Sequence, residues 1–261
     1  MKEWVLVDVQ KEICTIWINR PEKMNPTNYD VLIGLASAIN EASDNPEVRI
    51  VVLRGKGEKA FSAGADLNGY PWEDPEGIYD NVKPFVDVLF AMRQCKKPIV
   101  NIIQGYAIGG GCVLTAASDF SIASEKASFS IPEFLIGASV YLQPFFESIG
   151  RKRTFDMLLT NRRVPAREAL DIGLVNRVVP HDQLENELEK IVDLLLHNAP
   201  RAVSESLPAL RRSLSMDYES SILYIHEITS RLMAGKEMRE GVEALLKKEK
   251  PGWYISTHDS K

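Results

Sequence analysis

Gly105-Tyr106-Ala107-Ile108-Gly109-Gly110-Gly111-Cys112 is the stretch that decides the fold. It follows Pro98 and the apolar run Ile99 to Gln104, and it leads into apolar Cys112 to Ala117. The run before it reads as a strand buried on both faces, and the run after it as a short buried helix. Between them, residues without bulky side chains let the backbone approach a ligand closely. The start of the helix leaves N–H groups without partners and carries partial positive charge.

The same unit occurs once upstream. Arg49 to Leu53 is a second buried strand, Gly55 to Asn68 a second small-residue loop, and Pro75 to Gln94 a second helix. The apolar stripe of that helix is Ile78, Val82, Phe85, Leu89 and Met92. The loop contains Ala60-Phe61-Ser62-Ala63-Gly64-Ala65-Asp66-Leu67. Two N–H groups, one from each loop, suit a developing oxyanion. The competing reading is that the glycines serve strand–helix packing alone. A phosphate loop is disfavoured, because the Gly-Lys-Ser/Thr ending and the GxGxxG spacing are both missing.

Working outward, Trp4 to Asn19 reads as a hairpin turning at Gln10-Lys11-Glu12. Thr27 or Asn28 caps a helix whose stripe is Val31, Leu35, Ile39 and Ala42. Phe120 to Ala123, Ala127 to Ile131 and Leu174 to Val179 are further short strands. Leu184, Leu188, Ile191 and Leu195 mark another helix, and segments near 201–214, 217–233 and 237–249 mark three more. The fold class is α/β, with a helical C-terminal extension.

Composition narrows the partners. The 261 residues hold 31 basic and 36 acidic side chains, a net charge of −5. That balance argues against general nucleic-acid binding, which needs a basic face. The longest uncharged run, Pro98 to Ser118, is interrupted by polar residues and four glycines, so no membrane span is expected. Cys14, Cys95 and Cys112 are isolated and odd in number. Packed, reduced thiols in a cytoplasmic protein are expected, and no metal site. His181, His197, His226 and His258 lie far along the chain from both loops, in surface or packing roles.

These stretches together resemble the crotonase (enoyl-CoA hydratase/isomerase) superfamily. The resemblance rests on Asn19-Arg20-Pro21-Glu22-Lys23-Met24-Asn25, on the two loops, and on Ala127-Ser-Phe-Ser-Ile-Pro-Glu133. Ala169 to Asn176 and Glu240 to Pro251 extend it over nearly the whole chain. It implies a crotonase-like spiral of ββα units over residues 1–200. Residues 201–261 would form a helical C-terminal oligomerisation region, giving a homotrimer or a dimer of trimers. It implies an acyl-CoA thioester substrate, with coenzyme A as part of the substrate and no separate cofactor. The oxyanion donors map to the N–H groups of Ala65 and Gly110. Ala63, Asp66 and Leu67 fall among the substrate contacts. Lys23 and Lys59 match positions that contact coenzyme A, or else are simple solvated lysines. Asn68 stands where many members carry another Lys. Trp253 falls where an aromatic residue meets the coenzyme A of a neighbouring subunit.

The chain also departs from the pattern. Hydratases of the family use two glutamates, and here one position is Val113 while the other is Glu133. Valine neither accepts nor donates a proton. One base suffices to move a proton from C2 to C4 of a 3-enoyl thioester, as in the family's Δ3,Δ2-enoyl-CoA isomerases. Hydration asks for a group that activates water as well. Dehalogenase-type members and dienoyl-CoA isomerases use an aspartate where this chain has Tyr141. Residues 137–144 replace a glycine-rich run with bulk, which implies an altered acyl pocket. There Tyr141 either bonds substrate or water, or packs, and Glu147 is expected to face solvent. Double-bond isomerisation through Glu133 is the leading expectation. A hydratase or lyase with a single glutamate, acting on an enoyl or cyclic dienoyl thioester, stands second. A catalytically silent fold serving binding or assembly stands third.

Overall fold

The computed structural model describes residues 4–254. The chain begins with the hairpin β1 (Val5–Gln10) and β2 (Ile13–Ile18), whose turn residues Lys11 and Glu12 both take positive φ. Helix α1 (Tyr29–Asp44) starts where the side chain of Asn28 accepts the Val31 N–H at 3.1 Å. Its stripe Val31, Leu35, Ile39 and Ala42 is buried as the spacing requires.

Three strand–strand units follow. They are β3 (Ile50–Gly55) with β4 (Ala60–Ser62), β5 (Ile99–Ile103) with β6 (Tyr106–Ile108), and β7 (Phe120–Ser124) with β8 (Ser128–Ser130). Helix α2 (Pro75–Gln94) separates the first two units and α3 (Gly110–Ala117) the last two. The first strand of each unit joins one sheet and the second joins another. With β9 (Val164–Pro165) and β10 (Arg177–Val179), the sheet orders are β1-β2-β3-β5-β7-β10 and β4-β6-β8-β9. This is the ββα spiral. The two loops expected between strand and helix therefore each contain a short strand, paired through Ala60↔Tyr106 and Ser62↔Ala107. Three residues are too few to display a period of two.

The large sheet is covered on both faces. Val51 and Leu53 point into the main core with α1 and α2. Ile50 and Val52 point the other way, with Val100, Ile102 and Ile122, onto α7 (Leu184–Leu196). This is why β3 and β5 read as continuous apolar runs. In α2 the fully buried positions are Pro84, Phe85, Val88, Ala91 and Met92, so the expected stripe is rotated and Ile78, Val82 and Leu89 are half-buried. Helices α4 (Gln143–Ser148), α5 (Gly150–Thr160) and α6 (Ala166–Ile172) carry the chain back to β10.

Helices α8 (Pro200–Ser213), α9 (Tyr218–Met233) and α10 (Lys236–Lys247) bury one side chain each: Ala209, Ile228 and Ala244. Arg211 ties α8 to the spiral by donating to the Cys95 and Lys97 carbonyls and to Asp119. Arg49 ties the C-terminal segment by donating to the carbonyls of Trp253, Leu196 and Asn198. The three cysteines are buried and unbridged. No helix among the described residues is long and apolar enough to cross a membrane. His258 lies outside the described residues.

Candidate active site

The two loops meet. Gly64 has φ +90°, and a β-carbon there would stand 2.9 Å from the Ile108 carbonyl and 3.6 Å from the Gly110 nitrogen. Gly111 lies as closely on Ser62, whose carbonyl would be 2.5 Å from an added β-carbon. Small residues are therefore required by the approach of one loop to the other.

Residue 27 orients the first donor. The Thr27 N–H donates to the Gly64 carbonyl at 2.8 Å, and the Asp66 N–H donates to the Thr27 carbonyl at 2.7 Å. Successive N–H groups of an extended segment point to opposite sides. The Ala65 N–H therefore points away from Thr27, and it finds no acceptor among the described residues. The second donor begins α3. The Gly109 N–H is fixed on the Ser130 carbonyl, and the first helical bond runs from the Val113 N–H to the Gly109 carbonyl. The Gly110 N–H is left without an intrahelical partner. Ala65 and Gly110 thus stand as a pair of donors suited to one oxyanion.

Glu133 opens a 3-10 turn, Glu133–Ile136. Its side chain lies on Gly109, where an added β-carbon would be 2.5 Å from Oε1. Oε2 is buried and has no hydrogen-bond partner among the described residues. Burial pushes the carboxyl above the ordinary carboxylate range, partly offset by a backbone N–H. Val113 is fully buried in the main core and offers no second proton carrier. Cys112 is also buried, and its thiol is pushed up first by burial and then by the Glu133 charge.

The supporting shell comes from the Asn19–Asn25 stretch, whose part composition and periodicity do not reveal. Arg20 donates to Asp66 at 2.6 Å and to the Pro26 carbonyl at 3.0 Å. Both ion-pair partners are buried. Burial works to raise the Asp66 carboxyl, but hydrogen bonds from Asn68 and Arg20 outweigh it and hold it below the ordinary range. Asp66 is therefore occupied in fixing the loop. Asn25, fully buried with φ 57°, donates to the Lys56 and Ala60 carbonyls and accepts the Arg20 N–H. Gln104 donates to the Gly55, Gly57 and Ala60 carbonyls. Only Gln104 carries a local signal, a polar side chain closing the largely apolar run that starts at Ile99, whereas Arg20, Asn25 and Asp66 sit among other polar residues.

The remaining candidates lie around this centre. Ala63 is half-buried, and Ala65 and Leu67 are exposed. Lys23 and Lys59 are exposed on neighbouring loops, since Gly57 sits against Pro21. Phe85 packs its ring edge on Gly110 and stacks on Tyr141 with centroids 5.4 Å apart. Glu147 is exposed, as expected, and there pairs with Arg93, which donates to both of its oxygens. Trp253 is half-buried in its own chain, where its indole N–H donates to the His197 carbonyl. His181 bonds Ser124 and Glu58, and His197 stacks on Tyr254, so neither reaches Glu133. No cluster of three or more potential metal ligands occurs among the described residues.

A spiral of ββα units that presents two unpartnered N–H groups beside one buried carboxylate defines an acyl-thioester enzyme. The chain belongs to the enoyl-CoA hydratase/isomerase family, whose model matches residues 8–255. It is 30% identical over 254 residues to the short-chain-enoyl-CoA hydratase of Clostridium acetobutylicum, covering 94% of this chain and 95% of that one. It is also 30% identical over 250 residues to a peroxisomal Δ(3,5)-Δ(2,4)-dienoyl-CoA isomerase of Arabidopsis thaliana, covering 90% of each. The crystal structure of an enoyl-CoA hydratase from Bacillus anthracis superposes with a TM-score of 0.91 at 28% identity, over 97% of this chain and 99% of that one.

Proposed function

We propose that the chain shifts the double bond of an enoyl-CoA thioester, with Glu133 as the single proton carrier. The Ala65 and Gly110 N–H groups hold the thioester oxygen. Glu133 takes a proton from C2 of the 3-enoyl ester, and the electron pair of that bond passes toward the thioester oxygen as a dienolate. The same carboxyl returns the proton to C4, leaving a 2-enoyl product. One observation carries this reading: a buried, unpartnered Glu133 oxygen beside the start of a helix whose next candidate position is the apolar Val113. Burial supports a base poised nearer neutral pH. Coenzyme A enters as part of the substrate, reached by Lys23, Lys59 and Trp253, and the shift needs no separate cofactor.

The test is to supply a 3-enoyl-CoA and crotonyl-CoA separately and follow the 2-enoyl absorbance. Formation of 2-enoyl product from the first, with slow loss of the second, is expected. Fast hydration of crotonyl-CoA without conversion of the 3-enoyl ester would favour the second reading, a hydratase with one glutamate. The name of the Clostridium relative supports that reading. Thioester activity unaffected by Glu133→Gln would favour a silent binding fold.

The assembly we propose is a homotrimer or a dimer of trimers. It is supported by Ile222, Leu223, Leu245 and Leu246, exposed on α9 and α10. Light scattering would read three or six copies, and a monomer mass would overturn it. The buried, unbridged cysteines support a reducing compartment such as the cytoplasm.

A further inference from the structure

A cavity of about 710 Å³ lies between α2, the end of α3, the start of α4 and the end of α8. Neither Gly110 nor Glu133 is on its walls. Val86, Leu89 and Phe90 of α2, Ala117 of α3, Leu142 and Leu214 make it largely apolar. Its charged residues are already neutralised in pairs, Arg93 with Glu147 and Arg211 with Asp119. Such a space suits an uncharged hydrocarbon and offers no free ion to a carboxylate or phosphate.

Tyr141 links this cavity to the reacting centre. It lines the cavity, and its ring stacks on Phe85 with planes 12° apart. Phe85 in turn touches Gly110, with its Cε2 3.0 Å from the place of an added β-carbon. The order is therefore oxyanion donor, Phe85, Tyr141, cavity. Helix α3 rises about 1.5 Å per residue, so its end at Ala117 lies on the order of 10 Å from Gly110. Tyr141 sits in the irregular segment before α4, is 39% exposed, and its hydroxyl bonds to nothing among the described residues.

We propose that the Tyr141 ring is a specificity gate: stacked on Phe85, it closes the apolar cavity to the acyl chain and restricts the site to short acyl groups. This rests on the enoyl-CoA reading of the site. The ring does the closing and the hydroxyl has no part in it. An acyl chain released past the gate would run into the cavity along α3.

The experiment measures kcat/KM for 3-enoyl-CoA esters of six and twelve carbons. Tyr141→Ala is expected to raise the long-to-short ratio about tenfold, and Tyr141→Phe to leave it within twofold of the parent. Adding Ala117→Phe to Tyr141→Ala should fill the cavity and return the ratio to the parent value. Leu214→Trp, at an exposed position on the same cavity, is the second plug should Ala117→Phe fail to fold. An unchanged ratio in Tyr141→Ala, or an equal rise in Tyr141→Phe, overturns the gate. A ratio that stays raised with the plug overturns the cavity as the path, as does a plug that changes the mass of the assembly and not the ratio. If no variant turns over any enoyl ester, the catalytic reading has failed. The gate is then judged by calorimetric binding of hexanoyl- and dodecanoyl-CoA to the same variants, with the same ratio expected.

Discussion

Gly109 and Glu133 stand in direct contact, with no room for a β-carbon between them. A methyl group at residue 109 would lie 2.5 Å from Glu133 Oε1, and the backbone there has φ 53°. Gly109→Ala therefore meets both a steric and a conformational obstacle, since φ 53° with ψ −120° is a sparsely populated conformation costing about 1–3 kcal/mol. Turnover of a 3-enoyl-CoA should fall about 100-fold as the carboxylate is displaced. Thermal unfolding will show whether the fold persists.

Glu133→Gln should lower turnover by roughly 10²–10⁴, the usual range for losing a general base. The pH profile of kcat/KM should rise along a single limb with its midpoint above the ordinary carboxylate range, because burial raises Glu133. A midpoint at or below that range would contradict the burial argument.

The same residue should weaken the fold. Its folded-state carboxyl holds a proton more tightly than the unfolded chain does. Stability contributed by the protonated form is thus lost as pH rises from the ordinary carboxylate range through the raised folded value. Glu133→Gln should stabilise the protein near pH 7 by on the order of 1 kcal/mol, and the gain should vanish on acidification. Denaturant unfolding at two pH values reads it.

Asp66→Asn leaves the Arg20 guanidinium buried without its counter-charge. A loss of about 3 kcal/mol is expected. The folded-state carboxyl is held below the ordinary range, so its stabilisation is present above the unfolded value and lost as pH falls through the folded one. The gap between parent and variant should close in acid. KM should rise as well, since Asp66 follows the donor Ala65.

Val113→Glu places a carboxyl where the resemblance to two-glutamate hydratases implies one. Crotonyl-CoA hydration should rise at least tenfold, while Tm falls because a charge enters a fully buried site. Unchanged hydration in a folded variant would mean that Val113 is not what separates the two reactions.

The long apolar signals were legible. The buried runs 50–53 and 99–103 and the helix 75–94 follow from composition and spacing, as does a cap at Thr27 or Asn28, of which the structure uses Asn28. Small residues placed after two such runs pointed to one N–H donor in each loop, and the family resemblance, not the spacing, singled out Ala65 and Gly110. The strands β4 and β6 were harder, because three residues cannot establish a period, whereas β8 falls inside the strand expected over 127–131. Long-range partners were harder still. Nothing local says that Arg20 will meet Asp66 across 46 positions, or that Phe85 will press on Gly110. Trp253 illustrates the same limit, since packing on its own chain is set by α10 and the His197 carbonyl.

The pairing of β4 with β6 gives the two donor N–H groups their spacing, because each donor sits a few residues beyond one of these strands. The proposed oxyanion hole would thus be a property of sheet register, with no loop able to lose it alone. Heat should then abolish activity and secondary structure at one midpoint, with no inactive but folded species between them.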